Sequence, residues 1–389
     1  MNPTRKPTAC IVGTGFIGPV HLEALRRNGI EVAGLVERDA ETAAAKAVEL
    51  GLKQGYPSLE AALADPAVDV VHLAVPNHLH APCARAALAA GKHVLCEKPL
   101  ALTSAESAEL AALARRSGRV AAVNYNLRFY PMVHQARAML RGGALGRTLL
   151  VHGSYLQDWL LYDTDWSWHL DPREGGELRV VADIGTHWLD MISFITGLRV
   201  EAVMADLATF HPVRYRPRGP IATFSGTRGR RPAQDAEPVP ITSEDAAAIL
   251  LRLEGGARGV LTLSQSAAGR KNALHFEING SEASLAWDSE HPNELWQGLR
   301  QEPNRILVKD PTLLAPDAAA LSSYPGGHQE GYGDTLKHLF ARVYGYIQAG
   351  DFSAPRDFPT FDDGHTEMLL CDALLSSARL GAWVEVPRG

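Results

Sequence analysis

Two short stretches, far apart in the chain, carry side chains that can hold or transfer a proton. In Cys96-Glu97-Lys98-Pro99 the lysine follows an apolar run and precedes a proline that stiffens the loop, so its ammonium can be held beside a reacting hydroxyl. Asp183 and His187 are four positions apart, a spacing that places both side chains on one face of a helix. An imidazole with the usual pKa near 6.5 is well matched to proton abstraction at neutral pH. We therefore predict that Lys98, Asp183 and His187 form a catalytic acid–base site, with Asp190 orienting His187 or capping the structure.

The elements that must position this site begin with a glycine-rich turn. The apolar run from Ala9 to Val12 is followed by Gly13-Thr14-Gly15-Phe16-Ile17-Gly18, and then by a helix with Pro19 in its first turn. In such a turn the first glycine allows the tight bend, the second lets a pyrophosphate approach the main chain, and the third permits close helix–strand packing. The free N–H groups of the helix start then face the phosphates. The predicted dinucleotide contacts here are Gly13, Gly15, Phe16, Ile17 and Gly18.

An acidic residue at the end of the second predicted strand bears on the choice of dinucleotide. Glu37 stands nineteen positions after Gly18, where a carboxylate accepts hydrogen bonds from the adenosine ribose. It would repel the 2′-phosphate of NADP, and contacts of this kind are worth roughly 1.5–3 kcal/mol, or about one to two decades of preference. Arg38 beside it could instead stack on adenine or pair with that phosphate. NAD is the predicted cofactor, with NADP possible and a solvated strand-end carboxylate as the alternative for Glu37.

Polar residues follow two further predicted strands. Alternating strand and helix patterns predict a parallel sheet covered on both faces, and ligands bind such a sheet beyond the carboxyl ends of its strands. Pro76, Asn77 and His80 come after one strand, and Glu97 and Lys98 come after the next. We predict that all five contact the cofactor. The alternatives are a helix cap for Asn77, a first-turn histidine for His80 and a surface ion pair between Lys98 and Glu97.

The bulk composition indicates a soluble globular protein of two domains. The chain has 389 residues, of which 46% are hydrophobic and 21% charged. A net charge of −6 predicts no general attraction to nucleic acid, and we expect no membrane span. The cysteines show no paired spacing, and no apolar export segment follows Met1. We expect reduced thiols and a cytoplasmic location.

Taken together, three linked motifs resemble the Gfo/Idh/MocA family of oxidoreductases, which includes glucose–fructose oxidoreductase and inositol dehydrogenases. They are Gly13-x-Gly15-x-x-Gly18-x-x-His21, Pro76-Asn77-x-x-His80 and Glu97-Lys98-Pro99, supported by the D-x-x-x-H-x-x-D element at 183–190. The segment from Asn124 to Phe129 is similar to the family's domain junction, although Leu127 stands where a second arginine is common. The resemblance implies hydride transfer between nicotinamide and a secondary alcohol of a sugar or cyclitol. In its terms His187 accepts the proton, Asp183 holds the substrate hydroxyl, Lys98 stabilises the developing alkoxide, Asn126 contacts the cofactor and Arg128 contacts the substrate.

The predicted fold is an α/β Rossmann domain with a parallel sheet at 1–128, followed by an α+β domain at 129–389 with a large, mostly antiparallel open sheet. The antiparallel sheet is indicated by two hairpin signals between strand patterns, Glu254-Gly255-Gly256 and Asn279-Gly280. Such a sheet leaves one face uncovered, so we expect a homodimer or homotetramer. A Trp- and Asp-rich loop at 157–174 suits a polyhydroxylated ligand, or else anchors a loop or subunit contact. The predicted substrate contacts are Lys98, Arg128, Asp158, Trp166, Asp183, His187 and His328, with Tyr332 as an alternative to His328.

Other functions remain open from the sequence alone. A divalent metal could bind His187 and two carboxylates, but no H-E-x-x-H pattern supports it, and we predict no metal. An NAD-binding sensor without turnover, a glycosidase that uses NAD transiently and a metal-dependent lyase are the remaining rivals. An Arg-rich loop at 211–240, which contains Arg214, Arg216, Arg218, Arg228, Arg230 and Arg231, is expected to be solvated or to lie between subunits.

Overall fold

The N-terminal half is built on a six-stranded parallel sheet, as predicted. The computed structural model describes residues 6–219 and 236–389. The strands are β1 (Ala9–Val12), β2 (Val32–Val36), β3 (Gly55–Tyr56), β4 (Val70–Leu73), β5 (His93–Cys96) and β6 (Ala121–Val123). Their order is β3-β2-β1-β4-β5-β6, and every neighbouring pair is parallel. The central strands β1, β4 and β5 are buried throughout, because helices cover both faces.

Short polar caps start the helices of this half. The helices are α1 (Ile17–Arg27), α2 (Ala40–Glu49), α3 (Leu59–Ala64), α4 (His80–Ala89) and α5 (Ser104–Ser117). Asp39, Ser58 and Thr103 each accept a hydrogen bond from a backbone N–H in the first turn of the helix that follows. These caps explain why α2, α3 and α5 begin where they do.

The C-terminal half contains a nine-stranded, mostly antiparallel sheet, again as predicted. Its strands are β7 (Thr148–Leu156), β8 (Val200–Ala208), β11 (Ala246–Leu253), β12 (Arg258–Ser264), β13 (Ala273–Gly280), β14 (Ala283–Asp288), β15 (Glu294–Leu299), β16 (Arg305–Val308) and β17 (Val384–Glu385). The order is β16-β15-β14-β13-β7-β12-β11-β8-β17, and only the pairing of β7 with β12 is parallel. Strands β9 (Val213–Arg216) and β10 (Glu237–Pro240) form a separate antiparallel pair. The turn predicted at Asn279-Gly280 lies two residues later, because β13 extends to Gly280.

Helices cover one face of the large sheet. They include α6 (Pro131–Arg141), α8 (Thr186–Thr196) and α11 (Phe361–Leu380), and the short helices α7 (Pro172–Gly175) and α9 (Pro316–Ala319) lie in connecting segments. Alternation along β11 buries Ile249 and Leu251, whereas Leu250 is 43% exposed on the opposite face. Val260 of β12 pairs with Leu250 and is also exposed, so an apolar strip remains uncovered.

Helix α10 (Tyr332–Ala349) belongs to the later part of the chain but packs against the parallel sheet. Leu336, Leu339 and Phe340 are fully buried in one hydrophobic cluster with residues of β1 and α1. The two halves are thus interleaved near the C-terminus, and the boundary at residue 128 stays a prediction. Within the described ranges, no helix combines the length and the apolar character that crossing a membrane requires.

Candidate active site

A cavity of about 1020 Å³ lies beyond the carboxyl ends of the parallel strands and reaches residues of the large sheet. The three predicted catalytic residues, Lys98, Asp183 and His187, line it together. So do most of the predicted cofactor contacts, namely Gly13, Gly15, Phe16, Ile17, Glu37, Arg38, Pro76, Asn77, His80, Glu97 and Asn126. Residues that the chain separates by almost ninety positions therefore face one space, as the strand-end argument requires.

The glycine-rich turn fits a dinucleotide pyrophosphate. Gly13 has a φ of +89°, and a Cβ atom there would lie 2.6 Å from the carbonyl oxygen of Ala74. A Cβ on Gly18 would lie 2.2 Å from the carbonyl oxygen of Gly13, so this glycine permits the close helix–strand contact. A Cβ on Gly15 would meet no atom within 4 Å. The middle glycine therefore faces open space from which a phosphate could approach its main chain.

Glu37 is anchored at the predicted ribose position. Its Oε1 atom accepts a hydrogen bond from the backbone N–H of Thr14 (2.7 Å) and a second one from the Thr14 hydroxyl. The glycine turn thus fixes the carboxylate at the end of β2. Arg38 also lines the cavity, is exposed, and donates from Nε to Asp39 Oδ2 at 3.2 Å.

The loop after β4 is tied to neighbouring segments by its polar side chains. Asn77 lies in a 3₁₀ turn (Asn77–Leu79) and donates its amide to the carbonyl oxygen of Gly175 at 3.1 Å. The fully buried ring of His80 contacts the carbonyl oxygens of Pro99 (2.7 Å) and Val75 (2.9 Å). His80 therefore links the loops that follow β4 and β5 as well as lining the cavity.

Glu97 is buried and held as a carboxylate. Its Oε1 atom contacts His21 Nε2 at 2.8 Å and accepts a hydrogen bond from the Asn124 amide. Burial raises the pKa of this carboxyl, but the hydrogen bond from His21 and the charges of His21 and Lys98 outweigh it and lower the pKa to about 2. Nearby, Asn126 donates to the hydroxyl of Thr335 at 2.7 Å, which joins the junction segment to α10.

Lys98 and Asp183 form an ion pair across the cavity wall. The lysine Nζ lies 2.5 Å from Asp183 Oδ1 and 2.8 Å from the Asp183 carbonyl oxygen. Asp183 belongs to a π-helical turn (Val181–Gly185) that leads directly into α8, a local geometry often found at functional sites. Its second carboxylate oxygen accepts a hydrogen bond from the Gln265 amide at 2.7 Å. Burial raises the pKa of the Asp183 carboxyl, but the charge of Lys98 outweighs this, so the pKa lies well below its usual range.

His187 lies in the first turn of α8 and is 8% exposed. Its Nδ1 atom is buried without a hydrogen-bond partner among the described residues, and its ring packs edge-on against Tyr125. Burial, followed by the positive charge of Lys98, lowers the pKa of this imidazole to about 3. The expectation of an ordinary pKa is thus wrong, because burial penalises the charged ring. The ring is neutral at physiological pH and can accept a proton.

Arg128 does not belong to the cavity wall, contrary to its predicted substrate contact. Its Nε donates to Asp190 Oδ2 at 2.7 Å, and its terminal nitrogen donates to Asp363 at 2.9 Å. The carboxylate of Asp190 is therefore paired with Arg128. Among the described residues, no hydrogen bond joins Asp190 to His187 to orient its ring. Arg128 and Asp190 are almost fully buried, and Arg128 links α8, which carries Asp190, to the start of α11, which carries Asp363.

Three other predicted substrate contacts also lie outside the cavity wall. The Asp158 carboxylate accepts hydrogen bonds from Lys271 (2.7 Å) and from the N–H of Gly269 (3.0 Å). Trp166 packs beside Arg216. His328 is exposed on a loop. In each case neighbouring side chains or the loop path, which the sequence does not reveal, decide the direction of the side chain.

The wall that would face a substrate is instead formed by aromatic and polar side chains from β7, the Trp-rich loop, the loop after β12 and the start of α10. They are Tyr155, Gln157, Trp168, His169, Lys271, Asn272 and Tyr332. Asn272 Oδ1 accepts hydrogen bonds from Tyr155 and from the Gln157 amide, both at 2.8 Å. The Trp168 and His169 rings are stacked with centroids 3.6 Å apart. Tyr155 and Asn272 carried no sequence signal, since alternation along a strand identifies a buried face but not a ligand site.

Among its described arginines, the Arg-rich loop differs from its prediction at one position. Arg214 is fully buried, where it pairs with Asp245 at 2.6 Å and donates to the carbonyl oxygen of Leu160 at 2.9 Å. Arg216 is partly exposed and pairs with Glu237. Arg228, Arg230 and Arg231 lie outside the described residues.

Family models and known relatives match most of this chain. Residues 8–125 match the family description "Oxidoreductase family, NAD-binding Rossmann fold", and residues 133–286 match the "GFO/IDH/MocA C-terminal domain". Levoglucosan dehydrogenase of Pseudarthrobacter phenanthrenivorans is 31% identical over 97% of this chain and 97% of its own length. The chain belongs to the Gfo/Idh/MocA family. The NAD-binding Rossmann domain that the sequence predicted is thus a feature of the family.

Solved structures of relatives extend the likeness over the full chain. A levoglucosan dehydrogenase in complex with NADH and levoglucosan superposes with a TM-score of 0.87 at 30% identity, covering 99% of this chain and 100% of that one. An inositol dehydrogenase homologue from Azotobacter vinelandii, complexed with NADH and myo-inositol, has a TM-score of 0.84 at 27% identity, with 99% and 100% coverage. The family therefore contains sugar and cyclitol dehydrogenases with this architecture, and the present chain is an NAD-binding oxidoreductase.

Proposed function

We propose that this protein is a dehydrogenase that uses NAD to oxidise a secondary alcohol of a sugar or cyclitol, and that reduces the ketone in the reverse direction. The observation that carries the proposal is the meeting of the Lys98 ammonium, the Asp183 carboxylate and the neutral His187 ring in the cavity that also contains the glycine-rich turn. A dinucleotide bound to that turn would extend towards these three groups.

The proposed division of work follows from the charges. When bound, the nicotinamide ring supplies the hydride acceptor. His187 takes the hydroxyl proton, because burial and the charge of Lys98 lower its pKa and keep the imidazole uncharged. Lys98 lies beside the developing alkoxide and stabilises its charge, and Asp183 holds Lys98 in place through the 2.5 Å contact. In reduction the same groups return the proton to the carbonyl oxygen.

Within this class we propose an anhydrosugar or pyranose substrate and a preference for NAD over NADP. The levoglucosan dehydrogenase relative aligns over 97% of this chain, whereas inositol 2-dehydrogenase of Corynebacterium glutamicum, at 30% identity, aligns over 50%. Aromatic rings such as Trp168 can pack on the C–H faces of a sugar ring, while the amides of Gln157 and Asn272 can contact hydroxyls. The Glu37 carboxylate would repel a 2′-phosphate.

A substrate panel tests this proposal. Levoglucosan, aldoses and inositols are each incubated with NAD and with NADP, and reduction is followed at the NADH absorbance band. We expect the highest kcat/KM with an anhydrosugar or aldose and NAD. Lys98→Ala and His187→Ala should abolish most of the turnover. An enzyme that binds NADH but reduces no cofactor with any member of the panel would contradict the proposal and favour a sensor role.

We also propose that a second copy of the chain covers the open face of the large sheet. Leu150, Leu250 and Val260 are exposed there on neighbouring strands β7, β11 and β12. A dimer or tetramer would bury this strip. Size-exclusion chromatography with light scattering measures the mass, and Leu250→Asp with Val260→Asp should shift it towards the monomer. A wild-type monomer at micromolar concentration would contradict the proposal.

A further inference from the structure

A buried chain of side chains reaches Asp183 from the side opposite Lys98. Arg179 donates from a terminal nitrogen to Gln265 Oε1 at 3.2 Å, and Gln265 donates from Nε2 to Asp183 Oδ2 at 2.7 Å. Arg179 is 2% exposed and Gln265 is fully buried. Neither residue belongs to a motif of the sequence, and neither lines the cavity.

The orientation of the Gln265 amide follows from the chemistry of its two neighbours. A guanidinium only donates hydrogen bonds, and an ionised carboxylate only accepts them. The amide oxygen must therefore face Arg179 and the amide nitrogen must face Asp183. The opposite rotation would place two donors against each other and an oxygen against the carboxylate.

Arg179 is itself immobilised. Its other terminal nitrogen donates to Asp245 Oδ1, which also accepts a hydrogen bond from Arg214 at 2.6 Å. The side chains of Arg179, Arg214 and Asp245 are all fully buried. The backbone N–H of Arg179 donates to both carboxylate oxygens of Glu244 at 3.0 Å. Arg179 thus holds the amide oxygen of Gln265 in a fixed position, because several buried hydrogen bonds would have to be broken to move Arg179.

The Asp183 carboxylate consequently has one oxygen on Lys98 and the other on Gln265. The ion pair alone would leave the plane of the carboxylate free to rotate about its bond to Cβ, whereas contacts to both oxygens fix it. We propose that Gln265 is a positioning residue of the proposed dehydrogenase, holding Asp183, and through it Lys98, in the geometry that the reaction uses. The inference rests on the proposed function for its kinetic consequences, but the contact with Asp183 can be tested without turnover.

The kinetic test compares two substitutions of Gln265. Gln265→Leu removes the donor to Asp183 and should lower kcat by about 10- to 100-fold, the value of one charge-assisted hydrogen bond, with a smaller change in KM. Gln265→Glu keeps the shape and an acceptor for Arg179, but turns a carboxylate oxygen towards Asp183. It should be at least as impaired as Gln265→Leu, and its acid limb of kcat against pH should move to higher pH. If Gln265 only partnered Arg179, Gln265→Glu would match the wild type, and that result would overturn the inference.

A partly buried glutamine of the large sheet provides a control remote from the site. Gln297 belongs to β15, four strands away from β12. Gln297→Leu and Gln297→Glu should leave kcat, KM and the pH profile unchanged. Thermal unfolding of every variant checks that it is folded, and Gln265→Met replaces Gln265→Leu should the latter fail to fold.

A second measurement separates failure of this inference from failure of the proposed function. Aspartate labelled with carbon-13 at the carboxyl carbon is incorporated, and the Asp183 signal is identified by its loss in Asp183→Asn. In wild type we expect this signal to stay that of a carboxylate down to the lowest pH at which the protein is folded. In Gln265→Glu it should titrate at higher pH. Identical titration in both proteins would refute the inference even if a substrate were found, whereas the expected shift without any turnover would refute only the proposed function.

Discussion

The ion pair between Lys98 and Asp183 should contribute to the free energy of unfolding as well as to turnover. At 2.5 Å and an effective dielectric constant of about 20, two unit charges attract by roughly 6–7 kcal/mol, most of which offsets their desolvation. Removing one partner of a buried pair typically costs about 3–5 kcal/mol, since the other charge is left uncompensated. The two side chains are only 16% and 13% exposed, so this range applies. Because Asp183 keeps its hydrogen bond from Gln265, we expect the lower end for Lys98→Met.

The measurement is a double-mutant cycle by urea denaturation at neutral pH. Lys98→Met and Asp183→Asn should each lower the free energy of unfolding by about 3 kcal/mol, and the double variant should lose at least about 1.5 kcal/mol less than their sum. The exposed pair Lys46 and Glu49 provides the control. The corresponding substitutions, Lys46→Met and Glu49→Gln, should couple by no more than about 0.5 kcal/mol. Additive losses at Lys98 and Asp183 would refute the pairing, and with it the geometry of the proposed site.

Further predictions address the cofactor, the base, acid stability and metals. Glu37→Gln keeps an acceptor for Thr14 but removes the charge, so the ratio of kcat/KM for NAD over NADP should fall by about one to two decades; an unchanged ratio would assign no role to the carboxylate. His187→Ala should lower kcat by about 10²- to 10⁴-fold while NADH binding, followed by fluorescence, persists; turnover within twofold of wild type would exclude His187 as the base. Burial lowers the pKa of His134 to about 3 and of His93 to about 4, as it does for His187, so the unfolded state binds protons first when the pH falls. The free energy of unfolding should therefore decrease below a pH of about 6.5, by about 1.4 kcal/mol per pH unit for each such histidine, and constant stability between pH 7 and 5 would contradict the burial of these neutral rings. Turnover should survive a chelator such as EDTA, and loss of activity that a divalent ion restores would revive the lyase alternative.

The parts of the fold that could be predicted are those with local signals. The strand β4 begins with the β-branched Val70 and Val71 and is buried throughout, the helix α2 has its cap at Asp39, and the turn at Gly13 has a positive φ. Strand ends in a parallel sheet meet at one edge, which is why Asn77 and Lys98 could be placed in one cavity before the structure was known. The mostly antiparallel sheet followed from hairpin signals in the same way.

The substrate wall could not be predicted, because its side chains are directed by contacts between distant residues. Arg128 looked available for a ligand, but it is taken up by Asp190 and Asp363, which the chain brings from two other helices. Asp158 is likewise held by Lys271. A charged residue in a loop therefore indicates a site only after its ion-pair partners are known.

The pKa of His187 should change in the course of the proposed reaction. The pKa of this ring is lowered first by burial and then by the Lys98 ammonium. A substrate oxygen that becomes negative beside Lys98 would compensate that ammonium, so the second cause is removed as the alkoxide forms and the pKa of the ring rises. His187 would then gain its affinity for a proton at the moment when the substrate releases one, and water would not protonate it beforehand. On this argument Lys98→Met should raise the pKa of His187 in the empty enzyme, measurable by histidine NMR, while lowering kcat. A lower or unchanged pKa in that variant would show that burial alone sets the state of the ring.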